Sequence, residues 1–152
     1  IPTTGLRFFT VYGPWGRPDM SPFIFAQSII SGETIRLYDH GRHSRDFTYV
    51  DDIVDGMLRT FDAPMDSSQG TPYAIHNIGN HRSVNLMDYL NVFEKAIGRS
   101  AKIELVDKQP GDVDSTFADI TSLQEGYGYQ PSTPIETGIG KFVAWYREYY
   151  GV

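Results

Sequence analysis

Short apolar stretches alternate with longer segments of helical spacing along this chain. The first stretch, Leu6–Tyr12, is apolar, aromatic or β-branched at nearly every position, a pattern typical of a strand buried on both faces of a parallel sheet. Gly13 and Pro14 end the pattern and predict a loop. Similar short patterns predict further strands at Ile35–Tyr38, Asp46–Val50, Tyr73–Ile78 and Ile103–Val106.

Apolar residues three and four positions apart predict helices between and after these strands. The clearest helix has an apolar stripe formed by Ile53, Val54, Met57, Leu58 and Phe61. Asp51 or Asp52 is placed to cap that helix at its N-terminus, and Pro64 would stop it. Other helices are predicted at Pro22–Ser31, Leu86–Ile97, Asp119–Gln124 and Pro134–Tyr149.

Polar residues and glycines mark the ends of several of these segments. Asn85 has the character of a helix cap, and Thr133 with Glu136 has the spacing of a capping box. Asp66–Pro72 predicts a polar surface loop, and Asp39–Arg42 predicts a turn. The alternation of strands and helices predicts an α/β fold, in which the last elements form a small mixed subdomain.

The composition agrees with one folded domain and excludes several kinds of site. The 152 residues are 40% hydrophobic and 14% aromatic, which is enough for a buried core. The net charge is −6, and the lysines and arginines are scattered, which argues against a nucleic-acid partner. The absence of cysteine removes thiolate chemistry and agrees with a cytoplasmic protein. No apolar run reaches the ~20 residues of a membrane span, so no membrane partner is expected.

Candidate chemistry is concentrated in four stretches: Thr10–Met20 (TVYGPWGRPDM), Ser44–Asp52 (SRDFTYVDD), Asn77–Gly79 (NIG) and Gln109–Asp112 (QPGD). In this order they resemble the C-terminal half of the extended short-chain dehydrogenase/reductase family, the NAD-dependent sugar-nucleotide epimerases and dehydratases. Within that family the segment LRFFTVYGPWGRPDM is most similar to UDP-glucuronate 4-epimerases. The resemblance covers essentially the whole chain and implies the C-terminal part of a Rossmann-type fold.

Two features of that family do not occur in this sequence. One is the glycine-rich turn that holds the dinucleotide, and the other is the catalytic Tyr-x-x-x-Lys pair. In the family, both lie upstream of a strand like Leu6–Tyr12. The resemblance therefore implies that residues 1–152 are the sugar-nucleotide-binding part, that the NAD-binding part is absent from this chain, and that the chain alone is inactive and contains no catalytic residue.

The resemblance implies substrate-binding roles for four polar residues. Thr10 would bind the sugar, and Arg17 would bind the C6 carboxylate, for which a planar two-pronged guanidinium is suited. Arg45, in the RDF stretch, would contact the diphosphate, and Asp112 would bind the nucleotide ribose. Many relatives have an arginine where this chain has Gln109, so one phosphate contact of the family is missing.

Four apolar or aromatic residues complete the implied site. The backbone at Leu37 and Tyr38 would pair with uracil, and Phe8 and Phe9 would approach the nicotinamide of NAD. Each implied residue also has an interpretation without a ligand: Thr10 as a strand residue, Arg17 as a surface arginine, Arg45 as a surface partner of Asp46, Asp112 as a turn residue, and Leu37, Tyr38, Phe8 and Phe9 as core residues.

The four histidines show no spacing typical of a metal site. We therefore predict that no metal is bound by His40, His43, His76 or His81.

The resemblance implies an NAD-dependent epimerase that interconverts UDP-glucuronate and UDP-galacturonate through oxidation at C4, rotation of the 4-keto sugar, and reduction. Other nucleotide-sugar epimerases, dehydratases or decarboxylases remain open, as does a non-catalytic sugar-nucleotide-binding module. The family tends to dimerise through helices that this chain lacks. The unpaired edge and apolar faces of Leu6–Tyr12 predict in addition that the chain forms dimers or larger assemblies through that segment, by edge pairing or swapping.

Overall fold

A computed structural model describes residues 1–63, 70 and 72–152 of the chain. The predicted α/β architecture is confirmed, with seven strands and five helices in the described residues. The elements are β1 (Thr3–Phe8), β2 (Thr10–Tyr12), α1 (Ser21–Ser31), β3 (Thr34–Leu37), β4 (Ser44–Tyr49), α2 (Val50–Asp62), β5 (Tyr73–Ile78), β6 (Ser83–Asn85), α3 (Leu86–Ile97), β7 (Lys102–Leu105), α4 (Thr121–Tyr127) and α5 (Ile135–Tyr150).

The strands form three small sheets in the described part of the chain. Strand β1 pairs in parallel with β5. Strand β4 pairs in parallel with β2 on one side and antiparallel with β6 on the other. Strand β3 pairs in parallel with β7. The sheets are therefore mostly parallel, and β3 packs against helix α1.

The predicted strand Leu6–Tyr12 is in fact two strands that separate at Phe9. Up to Phe8 the chain pairs with β5, and from Thr10 onwards it pairs with β4. The prediction that this segment is buried on both faces is wrong for β1, whose residues are half-buried or exposed. The reason is that, within the described residues, β1 has a partner strand on one side only.

Most of the apolar stripe of α2, all but Ile53, does not face the core of this chain. An apolar stripe on a helix ordinarily packs inward, but Val54, Met57, Leu58 and Phe61 are all exposed. The buried positions of α2 are Ile53, Gly56 and Thr60. A side chain at Gly56 would collide with Ile78 and Tyr129, so the small residue permits close contact between α2 and β5.

Two of the predicted caps are wrong and one is confirmed. The side chain of Asn85 accepts a hydrogen bond from the Met87 amide at the start of α3. The Asp52 carboxylate does not cap α2 but accepts hydrogen bonds from the amides of Ser132 and Thr133, at 3.2 and 3.1 Å. Thr133 makes no side-chain cap either, because α5 begins after Pro134. Through its hydrogen bonds with the Ser132 and Thr133 amides, Asp52 fixes the segment that leads into α5.

Two apolar clusters hold the fold together. The larger cluster contains aromatic residues from β2, β4 and helices α1, α3 and α5, including the stacked rings of Phe47 and Tyr89, whose centroids lie 3.8 Å apart. The smaller cluster lies beneath α2 and α4. A side chain on Gly138 would approach the Tyr12 hydroxyl to 2.2 Å, so α5 packs directly on the end of β2. Burial of one large side chain contributes about 1.5–3 kcal/mol.

The remaining differences from the sequence predictions are small. Strand β6 was not predicted, since its three residues are too short to show an alternating pattern. Tyr73–Ile78 and Leu86–Ile97 are confirmed with their predicted bounds. The predicted Asp66–Pro72 loop and the stop at Pro64 lie largely outside the described residues. None of the described helices has both the length and the apolar character needed to span a bilayer.

Candidate functional site

Thr10 lies where the chain passes from one sheet to another. It follows the carboxyl end of β1 and begins β2, opposite Phe47 of β4. The Phe9 amide, immediately before it, donates a hydrogen bond to the Ile78 carbonyl at the end of β5. In α/β sheets, ligands gather beyond the carboxyl ends of the strands. Thr10 is therefore placed at the edge where a ligand of the β1–β5 pair would lie.

Arg17 already binds a carboxylate within its own loop. Its Nε and Nη2 atoms donate to the two oxygens of Asp19, at 3.1 and 2.5 Å. This pairing raises the pKa of Arg17 and lowers the pKa of Asp19. The Arg17 side chain is 75% exposed, as the surface-arginine interpretation expects. However, the contact also demonstrates a two-pronged carboxylate geometry, with the two protons on Nη1 and one on Nη2 left over for another ligand.

Arg45 connects β4 to the segment that follows β7. Its Nη1 atom donates to the carbonyls of Ser44 and Asp114, at 2.9 and 3.4 Å. The interpretation of Arg45 and Asp46 as a surface pair is wrong, because Asp46 is completely buried. The guanidinium is instead held by backbone carbonyls beside the 109–116 segment.

Leu37 and Tyr38 lie at the end of β3, where the chain enters a short 3-10 turn. Leu37 is buried, as its core interpretation expects, and its carbonyl accepts a hydrogen bond from Val106 at 3.0 Å. The amide of His40 donates in turn to the Val106 carbonyl, at 3.1 Å. These bonds connect the turn to the chain that leads towards Asp112.

Asp112 is a half-buried residue in a turn that is closed by its own amide, which donates to the Gln109 carbonyl at 3.2 Å. Gly111 in this turn has φ +89°, a conformation that suits glycine. Two residues further on, the Asp114 carbonyl accepts from the Ser44 amide at 2.9 Å. Hydrogen bonds therefore connect the segment from 106 to 116, which contains Asp112, to Leu37 at its start and to Arg45 near its end.

Phe8 and Phe9 differ in their surroundings. Phe9 packs against the smaller apolar cluster, which agrees with its core interpretation. Phe8 ends β1 with 51% of its surface exposed, so its ring is free to meet another molecule.

Asp46 was missed as a positioning residue. Its carboxylate accepts hydrogen bonds from the amides of Asn80, Arg82 and Ala118, at 2.7, 3.3 and 3.0 Å. A buried carboxylate that joins three segments fixes the loops after β5 and before α4 relative to β4. The only signal in the sequence was an acidic residue at the start of an otherwise apolar strand.

One cluster in the described part of the chain brings together groups that could ligate a metal: Asp39, His43 and Asp114, whose ligand atoms lie within 4.8 Å of one another. Asp39 is paired with Arg42 at 2.6 Å, and the Lys108 ammonium beside Asp114 lowers the pKa of that carboxyl. Both carboxylates therefore already have a cationic partner. That the histidines bind no metal stays a prediction.

Tyr12, close to Thr10 in β2, is not suited to proton transfer at neutral pH. Burial raises its pKa, and the nearby Asp52 carboxylate raises it further.

Two clefts open elsewhere on the surface. One of ≈ 640 Å³ lies around Asn80–Asn85 and Gln130–Glu136, and one of ≈ 690 Å³ lies between β1 and α2. The expected substrate residues line neither of these two clefts.

Comparison with known proteins identifies the family of this chain. Residues 1–79 match the family described as "NAD dependent epimerase/dehydratase family". The chain belongs to this family. It is 44% identical over 162 residues to protein CapI of Staphylococcus aureus, covering 99% of this chain and 48% of CapI. It is also 44% identical over 160 residues to UDP-glucuronate 4-epimerase 1 of Arabidopsis thaliana, covering 97% of this chain and 37% of that protein.

The fold of this epimerase-family chain matches solved structures over almost its whole length. The UDP-glucuronic acid 4-epimerase from Bacillus cereus, solved in complex with UDP-glucuronic acid and NAD, aligns with a TM-score of 0.89 and 28% identity. That alignment covers 99% of this chain and 46% of the Bacillus protein. The chain therefore spans about half the length of the relatives that it matches.

Proposed function

We propose that this chain is the sugar-nucleotide-binding part of an NAD-dependent 4-epimerase that interconverts UDP-glucuronate and UDP-galacturonate. The observation that carries the proposal is the fold match, over 99% of the chain, to an epimerase that binds UDP-glucuronic acid and NAD. Thr10 and the two-pronged guanidinium of Arg17 support a uronate rather than a neutral hexose as the substrate.

The Arg17 guanidinium would bind the C6 carboxylate of the sugar. A guanidinium has five N–H donors in a fixed plane, so the protons that Asp19 does not use remain available to a second carboxylate. The Thr10 hydroxyl, at the end of the β1–β5 pair, would donate one further hydrogen bond to the sugar. These two side chains would orient the sugar without taking part in the chemistry.

The diphosphate and nucleotide would bind along the segment from 106 to 116. Arg45 supplies a charged donor beside this segment, and Asp112 supplies a carboxylate for the ribose hydroxyls. Because backbone carbonyls hold Arg45 at its Nη1 atom, its remaining N–H groups are oriented before a phosphate arrives.

NAD would contact this chain at the carboxyl end of β1. Phe8 offers a half-exposed ring at the carboxyl end of β1, but the sequence has no glycine-rich turn for the pyrophosphate. The cofactor would therefore be held mainly by a part of the protein outside this chain. When bound, NAD would supply hydride transfer from C4 of the sugar and back to it. The residues of this chain would hold the sugar in place between these events and exclude water.

The proposal is tested by incubating the full-length protein with NAD⁺ and UDP-glucuronate and following the products by NMR. We expect an equilibrium mixture of UDP-glucuronate and UDP-galacturonate. The 152-residue chain alone should produce none and should bind NAD⁺ weakly in a calorimetric titration. Preferential turnover of UDP-glucose, or tight NAD⁺ binding by the isolated chain, would overturn the assignment.

A further inference from the structure

Trp15 has an unusual backbone conformation for a large side chain. It precedes Gly16 and Arg17 in the loop between β2 and α1, with φ +63°. A bulky residue is rarely found in this left-handed region, because its Cβ crowds the following carbonyl. Such a conformation persists only where the surrounding contacts hold it, and yet 73% of the surface of Trp15 is exposed.

Two aromatic residues of α5 supply those contacts. The ring centroid of Trp15 lies 5.2 Å from that of Trp145 and 5.1 Å from that of Tyr149. The two α5 rings are four residues apart on one helix face and stack on each other, with centroids 5.3 Å apart and planes at 22°. They form a flat platform on which the Trp15 ring rests edge-on to Tyr149.

The residues around Trp15 transmit this position to Arg17. Gly16 packs so closely on the loop that a side chain there would lie 3.2 Å from the Phe23 ring. The Arg17 carbonyl accepts a hydrogen bond from Met20 at 3.2 Å, which closes the loop on its other side. Arg17 is thus separated from Trp15 by Gly16 alone, at a position where an added Cβ would crowd both Phe23 and the Gly13 carbonyl.

We infer that Trp15, seated on Trp145 and Tyr149, is the anchor that positions Arg17 for the carboxylate of the substrate. This inference rests on the proposed function. An exposed tryptophan in a strained conformation contributes little to the core, whereas a fixed loop is needed to place a two-pronged donor on a carboxylate. Trp15, Trp145 and Tyr149 are accordingly positioning residues that act through Arg17 and do not contact the sugar.

The test uses Trp15→Ala and Tyr149→Ala in the full-length protein. Tyr149 is more than half exposed, so its loss should leave the fold intact. We expect kcat/KM for UDP-glucuronate to fall by about tenfold in each variant, because small displacements of a binding group are costly. The inhibition constant of UDP, which has no carboxylate, should stay within about twofold of the wild-type value.

Control variants separate positioning from damage to the helix. Tyr149→Phe keeps the ring and should restore wild-type values. Glu148→Ala shortens an exposed side chain beside Tyr149 on the same helix and should have no effect on UDP-glucuronate turnover. In an Arg17→Ala background, Tyr149→Ala should cause no further loss, because the residue that it positions is already gone.

The outcomes distinguish this inference from the function on which it rests. If Arg17→Ala itself leaves UDP-glucuronate turnover unchanged, the proposed function fails. If Arg17→Ala is damaging while Trp15→Ala and Tyr149→Ala behave like wild type, only the anchor fails. Equal losses for UDP and UDP-glucuronate, or full additivity with Arg17→Ala, would likewise reject the anchor.

Discussion

The roles proposed for Arg17 and Thr10 address a particular hazard in the proposed reaction. Oxidation of UDP-glucuronate at C4 gives a β-keto acid, which loses CO₂ readily when the bond to the carboxylate lies parallel to the carbonyl π system. An epimerase must hold the carboxylate away from that alignment until hydride returns. A guanidinium on a fixed loop and a short hydroxyl at a strand end could together set this torsion.

Substitutions at these two residues should separate binding from product control. Arg17→Ala should abolish most epimerisation of UDP-glucuronate, since one charge-assisted contact is worth roughly 1.5–3 kcal/mol. Arg17→Lys should restore little, because an ammonium cannot reproduce the two-pronged contact. Thr10→Ala should release part of the product as the decarboxylated 4-keto pentose, measured by mass spectrometry. Wild-type turnover in both alanine variants would exclude the proposed hold of Arg17 and Thr10 on the sugar carboxylate.

Arg45 should affect every ligand that contains the diphosphate. Arg45→Ala should weaken UDP and UDP-glucuronate alike, by about tenfold to a hundredfold, as the loss of one charged hydrogen bond predicts. Arg36→Ala is a matched control, because Arg36 lies on β3 in an exposed pair with Glu104. Calorimetric titration with UDP measures the dissociation constant of each variant. Unchanged UDP affinity in Arg45→Ala would make Arg45 a structural residue only.

At the scale of single elements, the sequence predicts which segments are helices and strands better than it predicts what packs against each of them. Leu86–Ile97 and Tyr73–Ile78 have strong local patterns and clear end signals, so their bounds could be predicted. The division of Leu6–Tyr12 at Phe9 depends on which strands lie alongside, and no local pattern reports that. The same holds for α2, whose apolar stripe predicts a helix but not what covers it.

The site could be predicted as a set of residues but not as an arrangement. The motifs point to Arg45 and Asp112, yet only the structure shows that the segment from 106 to 116 joins them. The role of Asp46 was hidden because a buried acceptor of three backbone amides looks like any acidic residue in a sequence. Long-range hydrogen bonds of this kind leave no periodic signal.

We predict that His76 makes the stability of the fold around β5 depend on pH. Burial lowers its pKa from the ordinary value of 6.5, and its Nδ1 atom lies 2.9 Å from the Ser122 hydroxyl of α4. Between the lowered pKa and 6.5, the unfolded chain binds more protons than the folded chain. His76 should therefore cost stability as pH falls below about 6.5 and should have no such effect above it.

Denaturant unfolding of wild type and His76→Gln between pH 5 and 8 tests this. The difference in unfolding free energy between the two proteins should be constant near pH 8. As pH falls below about 6.5, the wild type should lose stability relative to the variant, because only the wild type can be protonated at this position. If the unfolding free energies of the two proteins change in parallel over the whole pH range, His76 has the same pKa in the folded and the unfolded chain.

At the scale of the whole molecule, the apolar residues on one side are buried, whereas many of those on the other side are exposed. Helices α1, α3 and α5 enclose the larger apolar cluster, whereas β1 and α2 leave an apolar face formed by Leu6, Phe8, Met57, Leu58 and Phe61. Monomeric proteins rarely expose a large contiguous face of this kind.

We predict that the 152-residue chain on its own associates with itself through this face. Phe61 is 80% exposed and Leu58 is 55% exposed, and burial of one such side chain is worth about 1.5–3 kcal/mol. Phe61→Lys or Leu58→Lys should therefore weaken self-association by roughly tenfold or more, measured as a shift in the dissociation constant by sedimentation velocity across a concentration series. Val152→Lys changes an apolar residue at the end of the chain that is about as exposed as Leu58, and it should leave the dissociation constant unchanged.

A wild-type chain that sediments as a monomer at every concentration would show that the exposed stripe of α2 is not sufficient for association. Equal weakening by Val152→Lys would attribute the effect to added charge and not to the apolar face.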